Sequence, residues 1–142
     1  MVDLWPNDIA APKKKAPVTI LKDQASLLGN KTQGLVLADI KKSDADSFYV
    51  GKKLYKKQFV YKFYIVSPAL ENYRYNLFSM ANGIDLYPVL FSVDEDIGQE
   101  LGLEEDKPLT ANSESEFIET IKKLFASKKT IKVVHSILSQ LE

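Results

Sequence analysis

Residues 52–66 read KKLYKKQFVYKFYIV, and the second half of this stretch decides the fold. Aromatic and β-branched residues, which favour strands, run through it at a period of two. The pattern predicts a β-strand over residues 58–67, ended by the Ser67-Pro68 pair. One row of side chains is predicted to face the core and the other to form a second surface: Phe59, Tyr61, Phe63 and Ile65 in the first row, Val60, Lys62, Tyr64 and Val66 in the second.

A further strand is predicted before this one, over residues 35–42, and a turn follows it at residues 43–47. The pattern in residues 48–56 leaves two interpretations open, a loop or an irregular edge strand. With a hairpin further along the chain, these segments predict an antiparallel β-meander of about four strands.

The hairpin is predicted over residues 73–93, because Asn82-Gly83 is the favoured pair for a two-residue type I′ turn. Such a turn sets Phe78 opposite Tyr87. Pairing with the strand over residues 58–67 then gives a core face and an opposite face. The core face collects Phe59, Tyr61, Phe63, Ile65, Phe78, Tyr87, Val89, Phe91 and Val93. The opposite face carries Val60, Lys62, Tyr64, Val66, Tyr73, Tyr75, Leu77, Pro88 and Leu90.

Helices are predicted where apolar residues recur at helical spacing behind a start signal. The first helix is predicted over residues 17–29, with Pro17 in its first turn, and a short helix is predicted from the Asp94 cap to about Leu101. A third helix begins at the capping box formed by Ser113 and Glu116, and a terminal helix contains Ile131 and Leu141. The fold class is therefore α+β, an antiparallel sheet with an N-terminal helix and two C-terminal helices packed mainly on one face. Residues 17–142 are predicted to form a single domain.

Residues 1–16 are predicted to be an extended N-terminal arm. They contain Pro6, Pro12 and a lysine run at residues 13–15, without helical or alternating periodicity. Trp5 is expected to pack into a groove of its own domain, since tryptophan is highly buried on average. The alternative is that Trp5 docks onto a neighbouring subunit.

Composition excludes several classes of protein. The 19 basic and 19 acidic residues balance, so no global field attracts DNA or an anionic membrane. Arg74 is the only arginine, which restricts bidentate recognition of phosphate to one position. The chain contains no cysteine, which excludes disulfides and fits a reducing compartment. No run of 18 apolar residues occurs, and the stretch at residues 1–15 has no apolar h-region, so we expect a cytoplasmic, unprocessed protein.

The residue inventory favours a non-catalytic protein. His135 is the only histidine, and no nucleophile motif accompanies it. None of the common phosphate-loop, dinucleotide, hydrolase or zinc motifs occurs. Asp94 and Asp96 offer oxygen ligands, but acids at a helix start are the ordinary interpretation of that cluster. No cofactor and no metal site is predicted.

The opposite face of the sheet is the predicted functional surface. Either the helix over residues 17–29, the last helix or the N-terminal arm covers it, or a partner does. We expect a non-catalytic protein-interaction module, such as an adaptor, an inhibitor or an immunity-type protein, which binds another protein or a second copy of itself. The partner-binding residues predicted on this surface are Lys62, Tyr64, Tyr73, Arg74 and Tyr75.

Two alternatives remain at this point. The same face with Lys52, Lys53, Lys56 and Lys57 fits a weak binder of single-stranded nucleic acid, which combines lysines with aromatic rings. A metal-assisted hydrolase would use Asp94 and Asp96.

Charge is divided along the chain: residues 47–70 hold five lysines and no acid, whereas residues 94–119 hold ten acids and one lysine. Such polarity favours electrostatically steered docking to a protein.

Overall fold

The structure, a computed structural model, describes residues 1–12 and 14–142. Lys13, the first lysine of the predicted basic run, lies outside the described residues. The described helices are Pro17–Lys31 (α1), Glu95–Glu100 (α2), Glu114–Phe125 (α3) and Lys128–Gln140 (α4). The described strands are Leu37–Ser43 (β1), Ser47–Val50 (β2), Lys53–Lys56 (β3), Phe59–Ser67 (β4), Tyr73–Asn82 (β5), Val89–Val93 (β6) and Leu109–Ala111 (β7). The α+β class is confirmed, with its N-terminal helix and its two C-terminal helices.

The strands form two sheets. Five of them pair antiparallel in the order β1-β4-β5-β6-β7, and β2 and β3 form a separate hairpin. The segment that the sequence left open between loop and edge strand is this hairpin, which turns at Gly51, a glycine with φ +59°. β4 lies between β1 and β5, so the stretch that decides the fold is an inner strand of the larger sheet.

The predicted starts of α2 and α3 are confirmed. The Asp94 carboxylate accepts the backbone N–H of Ile97 at 2.8 Å, and the Ser113 hydroxyl accepts that of Glu116 at 3.2 Å. The Glu116 carboxylate accepts in return from the backbone N–H of Asn112, at 3.1 Å, one residue before the cap. Both caps satisfy amide groups that the first helical turn leaves without an intrahelical acceptor.

The two-residue turn predicted at Asn82-Gly83 is wrong. Asn82 pairs with Val89, so residues 83–88 form a six-residue connection between β5 and β6. The predicted turn would have placed Pro88 inside the ladder opposite Leu77. A proline has no N–H to give to a ladder, and the pairing accordingly begins one residue after Pro88.

A β-bulge in β5 changes which side chains share a face. Phe63 pairs with Phe78 but Tyr64 pairs with Asn76, which leaves Leu77 as the extra residue. One extra residue inverts the alternation on one side of the bulge. The predicted placement of Tyr73 and Tyr75 beside Tyr64 is therefore wrong.

The helices pack on one face of the five-stranded sheet, here called the helix face. Its core consists of aromatic and aliphatic side chains from the sheet, closed by buried residues of all four described helices. Phe63 stacks on Phe78 with ring centroids 5.0 Å apart, and Phe91 stacks on Phe117 at 5.8 Å. The predicted packing of the helices mainly on one face is confirmed.

The opposite face, here called the hairpin face, is covered in part by the β2–β3 hairpin and not by a helix. Phe48 and Val50 of the hairpin pack on Val60, Ala81 and Leu90 of the sheet, and all five are buried. The expectation that α1, the last helix or the arm covers this face is therefore wrong. The hairpin covers the sheet with Phe48 and Val50, which are buried, and leaves Tyr49 of the opposite row exposed.

Trp5 does not pack on its own domain. Its side chain is 71% exposed, and the hydrogen bonds described for residues 1–12 are all local, such as that of the Trp5 N–H to the Asp3 carboxylate.

Among the described residues, no helix combines the length and the apolar character that a membrane crossing requires.

Candidate protein-binding surface

Of the five predicted site residues, the structure brings three together. Lys62, Tyr64 and Arg74 lie on the hairpin face, beyond the part that the β2–β3 hairpin covers. Tyr73 and Tyr75 lie on the helix face, because the bulge at Leu77 separates them from Tyr64.

Arg74 is the centre of the exposed part of the hairpin face. Its guanidinium lies over the ring of Tyr64, with 4.4 Å between Cζ and the ring centroid. The same group reaches past β4 to β1, where Nη2 donates to the Asp39 carboxylate at 2.9 Å. The guanidinium is thus held by two contacts, the ring of Tyr64 in β4 and the carboxylate of Asp39 in β1.

Two lysines flank this contact. Lys41 of β1 and Lys62 of β4 are directly opposite each other in the register, and Lys41 Nζ lies 3.6 Å from the Asp39 carboxylate. Like charges directly opposite each other on a sheet are destabilising. We call the group of Asp39, Lys41, Lys62, Tyr64 and Arg74 the sheet patch; it holds three cations and one carboxylate.

Apolar side chains adjoin the sheet patch on the side away from the hairpin. Leu37 and Val66 pair directly, and both are only half-buried. Tyr64 is half-buried as well, under the guanidinium of Arg74. The surface therefore offers partly exposed carbon next to an arginine held by two contacts and next to two exposed lysines, a combination that suits a protein interface.

On the helix face, Tyr75 belongs to a small polar network at the start of α2. Its hydroxyl donates to the Asp94 carboxylate, and Lys129 Nζ lies 5.7 Å from its ring centroid. Burial and the hydrogen bond to Asp94 raise the pKa of the Tyr75 hydroxyl well above its usual value. The hydrogen bond to Asp96 raises the pKa of the Lys129 ammonium.

This network occupies the carboxylates that a metal site would need. One oxygen of Asp94 caps α2 and the other accepts from Tyr75, while Asp96 accepts from Lys129 at 3.0 Å. Within residues 1–12 and 14–142, no group of three or more histidine, cysteine, aspartate or glutamate side chains is placed to hold a metal ion. The arrangement can cap a helix and fix a tyrosine, and it presents no open carboxylate pair.

A second surface feature lies between α1 and α4, above the helix face of the sheet. It is an apolar groove of about 310 Å³ whose floor includes Phe63, Ile65 and Leu77. Its walls carry Leu27 of α1 and Ile131 of α4, each 44% exposed. We call this feature the α1–α4 groove; His135, the only histidine, lines it together with Lys31.

Sequence reasoning missed Asp39 and Lys41 as members of the sheet patch. The signal was present, because these residues alternate with Ala38 and Ile40 in β1 and so point away from the core. It also missed the α1–α4 groove, whose walls are about one hundred residues apart in the chain. No local sequence pattern predicts that α1 and α4 leave a groove between them.

Comparison with known proteins adds no functional information. No known protein family, curated protein or solved structure matches the chain.

Proposed function

We propose that this protein is a non-catalytic interaction module, an adaptor, inhibitor or immunity-type protein, that binds an acidic surface of another protein through the sheet patch. The observation that carries the proposal is the incomplete cover of the hairpin face. The β2–β3 hairpin buries Val60, Ala81 and Leu90 but leaves Tyr64 and Arg74 accessible to a partner.

The residue types in the sheet patch support protein binding. Tyrosine and arginine are the side chains that most often anchor protein interfaces. Here the contact with Tyr64 and the ion pair to Asp39 already hold the guanidinium of Arg74 in place. A side chain that is ordered before binding loses less conformational entropy when the partner arrives.

The charges of the sheet patch specify the chemistry of the partner. Lys62 has no ion-pair partner among the described residues, and Lys41 and Arg74 share the single carboxylate of Asp39. An acidic partner surface would relieve the repulsion between Lys41 and Lys62 and would steer the encounter.

A homodimer through the sheet patch is less well supported. In a two-fold symmetric contact each residue faces the same patch on the other copy. The three cations and one carboxylate of the sheet patch would then face an identical set across the interface, and like charges in contact oppose association. The proposal therefore concerns a different protein.

Binding of single-stranded nucleic acid remains the second candidate. The observation that favours it is that the β2–β3 hairpin, which carries Lys53 and Lys56 and adjoins Lys52 and Lys57, packs on the same face of the sheet as the sheet patch. Against it, the guanidinium of Arg74 covers one face of the Tyr64 ring, the face on which a base would stack. Fluorescence anisotropy with a labelled oligonucleotide at two salt concentrations tests it, since phosphate contacts weaken steeply as salt rises.

The metal-assisted hydrolase on Asp94 and Asp96 has less support than either binding function. Both carboxylates accept hydrogen bonds from Tyr75 and Lys129, and Lys129 places an ammonium where a metal ion would sit. Stabilisation by Mg²⁺, Mn²⁺ or Ca²⁺ in a thermal-shift screen would support it.

A cytoplasmic location also stays a prediction. It is based on the absence of cysteine from the sequence, which suits a reducing compartment.

The proposal is tested by comparing the proteins that co-purify with the wild-type chain and with a Tyr64→Ser/Arg74→Ser variant. The matched control is Tyr49→Ser, which removes a tyrosine that is 60% exposed on the outward row of the β2–β3 hairpin. We expect a specific partner to be retained by the wild type and by the control and lost from the double variant. Retention of the same partners by all three proteins would contradict the proposal.

A further inference from the structure

The two edges of the larger sheet differ in how well they are protected from pairing with another chain. The edge at β7 is three residues long, and Pro108, which has no N–H to donate, directly precedes it. The edge at β1 is seven residues long, contains no proline and pairs with β4 without a bulge. A short edge beside a proline resists further pairing, whereas a long regular edge is a template for another strand.

The outer side of β1 is available to such a strand. Every second residue of an antiparallel strand directs both its N–H and its C=O to the same side, so alternate residues of β1 present these groups away from β4. In the hydrogen bonds described for residues 1–12 and 14–142, no backbone group of residues 37–43 bonds to a segment other than β4. The side chains of Asp39 and Lys41 at this edge are 34% and 64% exposed.

The sequence of β1 is complementary to itself in one antiparallel register. The strand reads LADIKKS, with Ile40 at its centre. A two-fold axis through Ile40 sets Asp39 of each copy directly opposite Lys41 of the other, on the hairpin face. On the helix face, Ile40 then meets Ile40 of the second copy, and Lys42 lies opposite Ala38. One strand thus supplies two pairs of opposite charge and one apolar pair.

The same charges disfavour the neighbouring registers. Directly opposite side chains share a face, so registers that keep both helix faces on one side of the joined sheet place the axis on a residue. An axis at Asp39 would set two carboxylates opposite each other, and an axis at Lys41 would set two ammonium groups opposite each other. Like charges in these positions are destabilising, so of the three central registers only the axis at Ile40 is favoured by charge.

We propose that two copies of the chain associate through their β1 edges, antiparallel and centred on Ile40, so that two five-stranded sheets form one sheet of ten strands. Asp39 has an oxygen for the new contact. Arg74 and Lys41 of its own chain both approach Oδ2, which leaves Oδ1 without a described contact and open to Lys41 of the second copy. Lys41 in turn gains a carboxylate on the side away from Lys62.

The edge contact is compatible with the sheet patch and goes beyond the proposed function. Asp39 and Lys41 belong to both surfaces, but pairing at the edge lies in the plane of the sheet, whereas a partner of the sheet patch approaches the face of the sheet. The cations of two sheet patches therefore do not meet across this axis. A failure of the dimer would leave the proposed function untouched, because the test of that function changes Tyr64 and Arg74.

The contact is small, because each copy contributes one strand edge. Small interfaces fall at the weak end of the range for specific complexes, so the dimer should form as the concentration rises and dissociate on dilution. The two ion pairs between Asp39 and Lys41 are exposed to solvent, so added salt should weaken the association.

The charge pairs allow a test by charge exchange in the full chain. Analytical ultracentrifugation over a range of concentrations measures dimerisation of the wild type, Asp39→Lys and Lys41→Glu. Each single change sets like charges opposite each other at two symmetric positions, and each should weaken dimerisation roughly tenfold. Lys123→Glu, an equal change of charge at an exposed lysine of α3, should dimerise like the wild type.

Mixing the variants adds a readout that a folding defect does not imitate. In a pair of Asp39→Lys with Lys41→Glu, every lysine at position 39 or 41 again faces a carboxylate. Labelled Asp39→Lys should therefore sediment as a dimer with Lys41→Glu and remain largely monomeric with Lys123→Glu. The second mixture controls for attraction between net charges alone.

Hydrogen exchange at low and high concentration tests whether the backbone of β1 forms the contact. Amides of β1 should exchange more slowly as the dimer forms, and those of β7, the other edge of the sheet, should be unchanged. A monomer at all concentrations, or a dimer that Asp39→Lys and Lys41→Glu both leave intact, would overturn the proposal.

Discussion

The guanidinium of Arg74 lies over the ring of Tyr64, 4.4 Å from Cζ to the ring centroid, and donates to Asp39 two strands away at 2.9 Å. Three strands of the sheet, β1, β4 and β5, meet in this one contact. Arg74 is also the only arginine of the chain. The surface proposed to bind a partner is therefore organised around a single pre-positioned cation.

A double-mutant cycle measures how strongly this contact is formed. We expect the pair Tyr64→Leu and Arg74→Met to show a coupling free energy of about 0.5–1 kcal/mol, typical of an exposed cation–aromatic contact. The cycle of Asp39→Asn with Arg74→Met should give about 0.2–1 kcal/mol and fall as salt is added. Urea unfolding of the four proteins in each cycle supplies the free energies, and zero coupling in the first cycle would show that the guanidinium does not rest on the ring.

Tyr75→Phe should change how stability depends on alkaline pH. Burial and the hydrogen bond to Asp94 hold the pKa of Tyr75 above its unfolded value near 10, so the unfolded chain loses this proton first. Below about pH 10, Tyr75 therefore adds no pH dependence to the free energy of unfolding. As the pH rises above 10, the ionisation of Tyr75 in the unfolded chain makes this free energy decrease. The variant should lose about 1 kcal/mol at neutral pH and show a shallower alkaline decrease.

The measurement for Tyr75→Phe is urea unfolding at several pH values on either side of pH 10. Equal alkaline slopes in the wild type and the variant would show that Tyr75 ionises alike in the folded and unfolded chains. The hydrogen bond from Tyr75 to Asp94 would then not contribute to stability.

Gly51→Ala should destabilise the β2–β3 hairpin more than its backbone angle alone requires. Gly51 has φ +59°, and a Cβ there would overlap the Asp106 carboxylate, which accepts the backbone N–H of Lys52 at 2.9 Å. Gly102 has a similar φ of +70° with open space around it, so Gly102→Ala is the control. We expect about 1 kcal/mol for Gly102→Ala and roughly 2–3 kcal/mol for Gly51→Ala in urea unfolding.

Phe48→Ala should detach the hairpin from the sheet. Phe48 is 3% exposed and packs in the small cluster with Val60, Ala81 and Leu90. Truncating a buried phenylalanine costs about 3–5 kcal/mol when the site does not collapse. Hydrogen exchange should then increase in β2 and β3 first. Uniform exchange throughout the protein would indicate that the hairpin and the sheet unfold together.

Local signals in the sequence predicted local structure well. The caps at Asp94 and Ser113 and the alternation along β4 each depend on residues a few positions apart, and the structure confirms them. The bulge at Leu77 left a weaker signal, since the apolar spacing at Tyr73, Tyr75 and Leu77 changes phase at Phe78. Its occurrence depends on tertiary packing, because Leu77 and Phe78 are both 1% exposed and both lie in the helix-face core.

The candidate site was predicted only in part, because its residues lie on three strands that are separate in the chain. Lys62 and Tyr64 share a face by simple alternation, and Arg74 joins them only because of the bulge. Asp39, the partner of Arg74, is 35 residues away in the chain. Contacts at that separation follow from strand order and register, which no single segment of the sequence specifies.

The most direct test of the central claim is site-specific photo-crosslinking from the sheet patch. A photoreactive residue at position 62 is compared with the same residue at position 123, where an exposed lysine of α3 also has no ion-pair partner among the described residues. In cells that express the protein, we predict a discrete adduct with another protein from position 62, with no adduct from position 123, and its loss when Arg74→Ser is added. Equal adducts from both positions, or none from position 62, would contradict the assignment of the sheet patch as the binding surface.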